Sequence, residues 1–122
     1  MPETFAHVLE SLREPGTSLL SAARVAALLE LQQQDLAALA DVHHNTVRTH
    51  PESARVQAAL RDLVRVLSAA SAIQPDLQRV ARFIKNESIV SLGHKTLLDM
   101  VRLGRVDDAI AYLESVACGF AG

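Results

Sequence analysis

Apolar residues recur along this chain every three or four positions, which is the period of an α-helix with one buried face. The longest such pattern covers about residues 52–73, and its apolar stripe consists of Val56, Leu60, Leu63, Val64, Leu67 and Ile73. Charged residues, among them Arg55 and Arg65, follow the opposite side. The pattern therefore predicts an all-α fold.

Helix boundaries are marked by residues that start or stop helices. Further helices are predicted at residues 3–13, 18–31, 33–40, 44–50, 75–85, 97–103 and 106–118. Pro51 disfavours helix at His50 and suits the start of the next helix. Thr96 and Asp99 have the spacing of a capping box, and Gly104 is expected to end that helix in a left-handed conformation.

Composition agrees with packed helices in a small intracellular protein. The 122 residues are 49% hydrophobic but only 3% aromatic, so Ala, Leu and Val are expected to form the core. No apolar run reaches the roughly 20 residues that span a bilayer, and the acidic, amphipathic start is unlike a signal peptide. The single Cys118 allows no internal disulfide and is expected to pack beside small residues. A cytoplasmic location follows from this cysteine usage.

The net charge of −2 conceals a basic middle segment. Residues 1–43 carry two basic and six acidic side chains, a net charge of −4. Residues 44–85 carry seven basic and three acidic side chains, a net charge of +4. Residues 86–122 carry three basic and five acidic side chains, a net charge of −2. The basic residues on the later helices of the middle segment are Arg55, Arg61, Arg65, Arg79, Arg82 and Lys85. They either contact phosphates or, as is more common on a surface, pair with acids such as Asp62 and Asp76.

The basic segment begins within LAALADVHHNTVRTH, residues 36–50, which has the spacing of a DNA-binding helix-turn-helix. A short helix with small residues is followed by a three-residue turn, with Asp41 where glycine is usual and His43 where a Ser or Thr cap is usual. The next helix would present side chains to base edges in the major groove. The candidate DNA-binding residues are His44, Asn45, Thr46, Arg48 and Thr49. The alternative is a helical corner that has this fold but does not contact DNA.

Metal binding and catalysis have weaker support. His43 and His44 are adjacent, so their side chains diverge by about 100° on a helix, and no Cys ligand or HExxH spacing accompanies them. The sequence shows no Ser or Cys nucleophile with an associated base and no glycine-rich phosphate loop. We therefore expect no metal site, no cofactor and no enzymatic activity.

Residues from about Leu31 to Gly122 resemble the Xre/MbcA/ParS antitoxins in the order of their motifs. The family segment Val-Ser-x-Asn-Thr-x-Arg matches Val42, Asn45, Thr46 and Arg48, with His43 at the Ser position. A later Pro-Glu-Ser-x-x-Val-Gln segment matches Pro51, Glu52, Ser53, Val56 and Gln57. The C-terminal pattern of an aromatic residue, Gly-Gly-Lys-Thr-Pro, Gly-Arg and Tyr-Leu-Glu corresponds to Phe83, Gly93, Lys95, Thr96, Gly104, Arg105, Tyr112, Leu113 and Glu114. His94 stands in place of the second Gly, and Leu97 stands in place of the Pro.

The resemblance implies an Xre-like helix-turn-helix region at residues 1–73 and a small helical toxin-binding domain at residues 74–122. It implies a type II antitoxin that blocks the active site of a RES-domain toxin, an NAD-degrading enzyme, and regulates its own operon by binding promoter DNA. The implied toxin-binding residues are Tyr112, Gly119, Phe120, Ala121 and Gly122. We expect a homodimer, because a helix-turn-helix reader of a palindrome needs two copies.

Two alternatives stay open at this point. In the first, Phe120 folds back onto its own core and the C-terminal end makes no inhibitory contact. In the second, the chain is a stand-alone helix-turn-helix transcriptional regulator whose C-terminal domain only dimerises.

Overall fold

The computed structural model describes residues 5–118, with side chains described from Val8 onward. Over these residues the chain forms eight α-helices, one short 3-10 helix at Val90–Leu92 and no β-strand, which confirms the all-α prediction. The helices are α1 (Phe5–Ser11), α2 (Ala22–Leu29), α3 (Gln33–Ala40), α4 (His44–Thr49), α5 (Ala54–Ser71), α6 (Leu77–Asn86), α7 (Leu97–Arg102) and α8 (Val106–Ala117).

The described helices separate into two compact units, Met1–Arg61 and Asp62–Gly122, and α5 begins in the first and ends in the second. In the first unit the most deeply buried side chains are Val25, Leu29, Leu36, Val56 and Leu60. In the second they are Leu63, Val66, Leu67, Val80, Ile84, Leu97 and Met100. Each unit thus has its own apolar core. The predicted functional boundary after residue 73 stays a prediction.

Helix α2 begins at Ala22, later than the predicted start at residue 18. Before it, Leu20 forms an isolated antiparallel bridge with Arg13, and the Ser21 N–H donates to the Leu12 carbonyl at 2.7 Å. This pairing uses an extended backbone, so helix cannot extend back through Leu20. Ser21 then caps α2, because its hydroxyl accepts from the Arg24 N–H at 3.2 Å.

The predicted start and stop signals of α7 are confirmed. The Thr96 hydroxyl accepts from the Asp99 N–H, and the Asp99 carboxylate accepts from the Thr96 N–H, each at 3.0 Å. Gly104 follows the helix with φ +75°, in the left-handed region. In the preceding loop Gly93 and His94 have φ of 73° and 63°, so the histidine adopts a conformation that glycine adopts more easily.

Two predictions about buried side chains are wrong. Ile73 is 40% exposed rather than part of the buried stripe, because α5 ends at Ser71 and Ile73 lies in the turn that follows. Cys118 is exposed rather than packed, since it comes after the end of α8, where the last buried side chain is Leu113.

The second unit contains two of the predicted pairings of arginine with Asp62 and Asp76. Arg65 lies 3.8 Å from Asp62 and 2.9 Å from Asp107, and Arg79 lies 3.7 Å from Asp76. These side chains are well exposed, so each pair contributes little to stability. Within residues 5–118 no helix combines the length and apolar character needed to cross a membrane.

Candidate nucleic-acid interface

Helices α3 and α4 pack directly against each other across a three-residue turn. Small side chains allow this close approach, since Ala37 and Ala40 are the buried alanines of α3. From α4, Val47 is 3% exposed and anchors the helix. The six-residue α4 is too short to be stable alone, so its position depends on this packing.

The turn depends on a left-handed Asp41, as its place in the sequence predicted. Its φ is 57° and its ψ 51°, and the next N–H, of Val42, donates to the Ala37 carbonyl at 3.0 Å. Arg55, on α5, donates from Nη1 to the Asp41 carbonyl at 3.0 Å. Asp tolerates this backbone region better than most residues do. Arg55, predicted to contact a phosphate or an acidic residue, therefore also holds the turn.

His43 caps α4 with its ring. Its Nδ1 accepts from the Asn45 N–H at 3.2 Å, and its carbonyl accepts from the Thr46 N–H at 2.9 Å. The His43 and His44 rings lie against each other, with their centroids 4.3 Å apart. The residue in the usual Ser position thus performs the capping role, although histidine is not among the preferred capping residues.

We expect His43→Ser to raise the free energy of unfolding by about 0.5–1 kcal/mol. A serine hydroxyl reaches the N–H groups of the first turn from a short side chain, and it does not require a ring to be held beside His44. Chemical denaturation of the purified protein measures this change. His43→Ala is the control, because it removes the acceptor and should lower stability. A His43→Ser protein no more stable than His43→Ala would show that the cap contributes nothing.

The outer face of α4 exposes four of the five predicted DNA-binding residues. His44, Asn45, Arg48 and Thr49 are exposed, and Thr46 is half-buried. Two bonds organise this face: Arg48 Nη2 lies 3.5 Å from Asn45 Oδ1, and the Thr49 hydroxyl donates to the Asn45 carbonyl at 2.8 Å. The structure therefore brings together amide, guanidinium, imidazole and hydroxyl groups, which are the groups that read base edges and phosphates.

Glutamines at the start of α3 extend this polar face. Gln32, Gln33 and Gln34 line a shallow cavity of about 350 Å³ together with His44. Asp35 fixes the start of the helix, because its carboxylate accepts from the Gln32 N–H at 2.8 Å. The first turns of the two helices thus share one solvent-exposed surface.

Gln57 holds the segment that follows α4. This α5 side chain is 5% exposed. Its Oε1 accepts from the Leu20 N–H at 3.0 Å, and its Nε2 donates to the carbonyls of Leu20 at 3.0 Å and Pro51 at 2.9 Å. The periodicity of α5 gave no sign of this role. The sequence feature that could have indicated this role is the position of Gln57 beside Val56, on an otherwise apolar stripe.

The predicted toxin-binding residues are only partly described. Tyr112, on α8, is half-buried and lines an apolar cavity of the second unit. Gly119, Phe120, Ala121 and Gly122 lie outside the described residues. The prediction that these residues form an inhibitory contact, and its alternative that Phe120 folds back, both stay predictions.

The histidines of the α4 region have local partners. His50 Nδ1 lies 3.4 Å from the Glu52 carboxylate, and both side chains are exposed. In the part of the chain that the structure describes, no three His, Cys, Asp or Glu side chains come together as a metal site. The side chains of this surface offer hydrogen-bonding groups and charge.

No protein-family model, no curated protein and no solved structure matches the chain.

Proposed function

We propose that this protein is a non-enzymatic antitoxin. It binds its own promoter DNA through α3 and α4, and it blocks the active site of a RES-domain, NAD-degrading toxin with its C-terminal region. The observation that carries the proposal is the exposed row of His44, Asn45, Arg48 and Thr49 on a short helix anchored by Val47. The toxin-binding part rests on the sequence resemblance of the C-terminal segment.

In the proposed DNA complex, α3 and α4 act as a helix-turn-helix and α4 enters the major groove. The Asn45 amide is suited to paired hydrogen bonds with adenine, and Arg48 to guanine or a phosphate. Gln33 and Gln34 supply further amide donors for a phosphate at the start of α3. A homodimer would read two inverted half-sites about one helical turn apart.

In the proposed toxin complex, α8 directs the C-terminal residues toward the toxin. Tyr112, Gly119, Phe120, Ala121 and Gly122 form the contact, and Phe120 enters the NAD-binding site as an apolar anchor. The small residues around Phe120 let the backbone approach the pocket wall closely. Inhibition on this model is steric and needs no catalytic group on the antitoxin.

The toxin-binding part is tested by co-expressing the chain with the product of the adjacent gene. We expect a complex that co-purifies and cells that keep their NAD, whereas a variant lacking residues 119–122 should leave NAD depleted. A variant of equal length with Gly119, Phe120 and Ala121 changed to serine separates loss of side chains from loss of length. Absence of a complex, or full protection by the shortened variant, would contradict this part of the proposal.

The second candidate is a stand-alone transcriptional regulator with a dimerising C-terminal domain. One observation favours it: the residues that form the cap, the turn and the exposed face of α4 all belong to the first unit. The proposed DNA-binding surface therefore needs no residue of the second unit. Mobility shifts on the upstream DNA, together with the NAD assay, separate the candidates. Specific DNA binding without any protection from the toxin would favour the regulator.

A further inference from the structure

The first two turns of α5 supply side chains that hold both ends of α4. Arg55 donates from Nη1 to the Asp41 carbonyl, in the turn before α4, at 3.0 Å. Gln57 donates from Nε2 to the Pro51 carbonyl, in the segment after α4, at 2.9 Å. Because α4 has only six residues and is too short to be stable alone, its placement depends on these contacts as well as on the buried Val47.

The backbone of Asp41 is the least favourable point of the turn before α4. Its φ of 57° and ψ of 51° lie in the left-handed region, where a Cβ crowds the following carbonyl oxygen. The Val42 N–H donates to the Ala37 carbonyl at 3.0 Å, which is the bond that ends α3. A conformation of this kind persists where the surrounding structure holds it. Arg55 supplies such a hold from outside the two helices that the turn joins.

Arg55 acts on the backbone of Asp41 more than on its carboxylate. Nη1 lies 3.0 Å from the carbonyl oxygen but 3.5 Å from the carboxylate, and the two side chains are 68% and 97% exposed. An ion pair so exposed is weak, whereas a hydrogen bond from a charged donor is stronger than a neutral one. Because the peptide unit is planar, holding the carbonyl also fixes the N–H of Val42 and the direction in which the chain leaves the turn.

We infer that Arg55 is a positioning residue for DNA binding, which orients α4 through the Asp41 carbonyl and does not itself contact the duplex. The inference rests on the proposed DNA-binding function of α3 and α4, and it adds a residue of a third helix to that function. A binding surface needs its groups held to within about 0.5 Å. Base contacts carry the sequence information, so Arg55 contributes to discrimination between DNA sequences more than to the overall attraction.

The competing role for Arg55 is a direct phosphate contact, since guanidinium has N–H donors beyond the one that the turn uses. The two roles differ in two measurable ways. A phosphate contact strengthens binding to every DNA sequence and steepens its salt dependence. A contact that acts through Asp41 strengthens binding to the preferred sequence and depends on the left-handed backbone at that residue.

The first test titrates Arg55→Ala with a duplex carrying the DNA upstream of the gene and with an unrelated duplex of the same length, at several salt concentrations. We expect binding to the upstream DNA to weaken roughly three- to tenfold, as for loss of one hydrogen bond. Binding to the unrelated duplex and the slope of log affinity against log salt concentration should stay the same, because no phosphate contact is lost. Arg102→Ala removes one exposed arginine from the second unit and is the control for charge.

The second test uses Asp41→Gly, which offers a rescue that a phosphate contact does not allow. Glycine adopts the left-handed backbone without a steric cost, so the turn no longer depends on Arg55. Arg55→Ala in this background should weaken binding to the upstream DNA by less than about twofold. Asp41→Asn is the matched control, because asparagine removes the charge but keeps a Cβ. In that background Arg55→Ala should again weaken binding roughly three- to tenfold.

The outcomes separate this inference from the proposed function. If the unmodified chain does not prefer the upstream DNA to the unrelated duplex, the DNA-binding part of the proposed function fails, and the inference fails with it. If it does, and Arg55→Ala binds both duplexes as tightly, the inference alone is overturned. A salt slope shallower by about one, without rescue by Asp41→Gly, would assign Arg55 to a phosphate and would also overturn it. Circular dichroism and urea denaturation verify that each variant is folded under the conditions of the titration.

Discussion

Replacing Gln57 with leucine is expected to lower the free energy of unfolding by about 3 kcal/mol. Leucine has a similar size but cannot pair with the Leu20 N–H or with the carbonyls of Leu20 and Pro51. Leaving a buried polar group without a partner costs about 1–3 kcal/mol. Three such groups are affected here, and rearrangement toward water recovers part of the loss. Urea denaturation of both proteins measures the difference.

The control for this change is Gln78→Leu, because Gln78 is an exposed glutamine of α6, in the second unit and away from the proposed DNA-binding surface. It should alter stability by less than about 0.5 kcal/mol, as is usual for surface substitutions. Since Pro51 follows α4 closely, Gln57→Leu should also weaken DNA binding. A small stability change in Gln57→Leu would show that water replaces the lost hydrogen bonds.

Asn45→Ala and Arg48→Ala are each expected to weaken binding to promoter DNA by about 10- to 100-fold, which corresponds to about 1–3 kcal/mol for a lost base contact. If Arg48 contacts a phosphate instead, Arg48→Ala should weaken binding to all DNA sequences equally. The slope of log affinity against log salt concentration should then become shallower by about one. Titrations at several salt concentrations, with promoter and unrelated DNA, distinguish these contacts.

Arg102→Ala is the matched control, since it removes one exposed arginine from the second unit. Asn45 and Arg48 are close enough to interact, so the double variant should lose less than the sum of the single losses. Promoter binding unchanged in both single variants would exclude direct readout by α4 and would favour the helical corner without DNA contact.

The sequence predicted most helices and their signals because these depend on local chemistry. The bounds of α3 agree with the prediction, the Thr96–Asp99 capping box is present, and both Asp41 and Gly104 adopt the left-handed backbone. Each feature needs only residues within a few positions of one another. The same reasoning identified the exposed polar residues of α4 as one candidate surface.

Features that depend on distant contacts could not be predicted in this way. Helix α2 starts late because Leu20 pairs with Arg13 and with the Gln57 amide, which lies 37 positions away. The apolar cavity lined by Tyr112 arises where three helices meet, and Ile73 lines it because α5 stops before the apolar pattern ends. Periodicity shows which face of a helix is apolar, but not which neighbour covers it.

The bond from the Thr49 hydroxyl to the Asn45 carbonyl limits what Thr49 can recognise on DNA. A hydroxyl has one proton, and here the helix backbone already uses it. Toward a duplex, Thr49 therefore offers its methyl group and an oxygen lone pair. These suit the thymine methyl group or the amino groups of cytosine and adenine, whereas guanine, which presents only acceptors in the major groove, would gain nothing. On the proposed complex, the operator position facing Thr49 should accordingly disfavour guanine on the contacted strand.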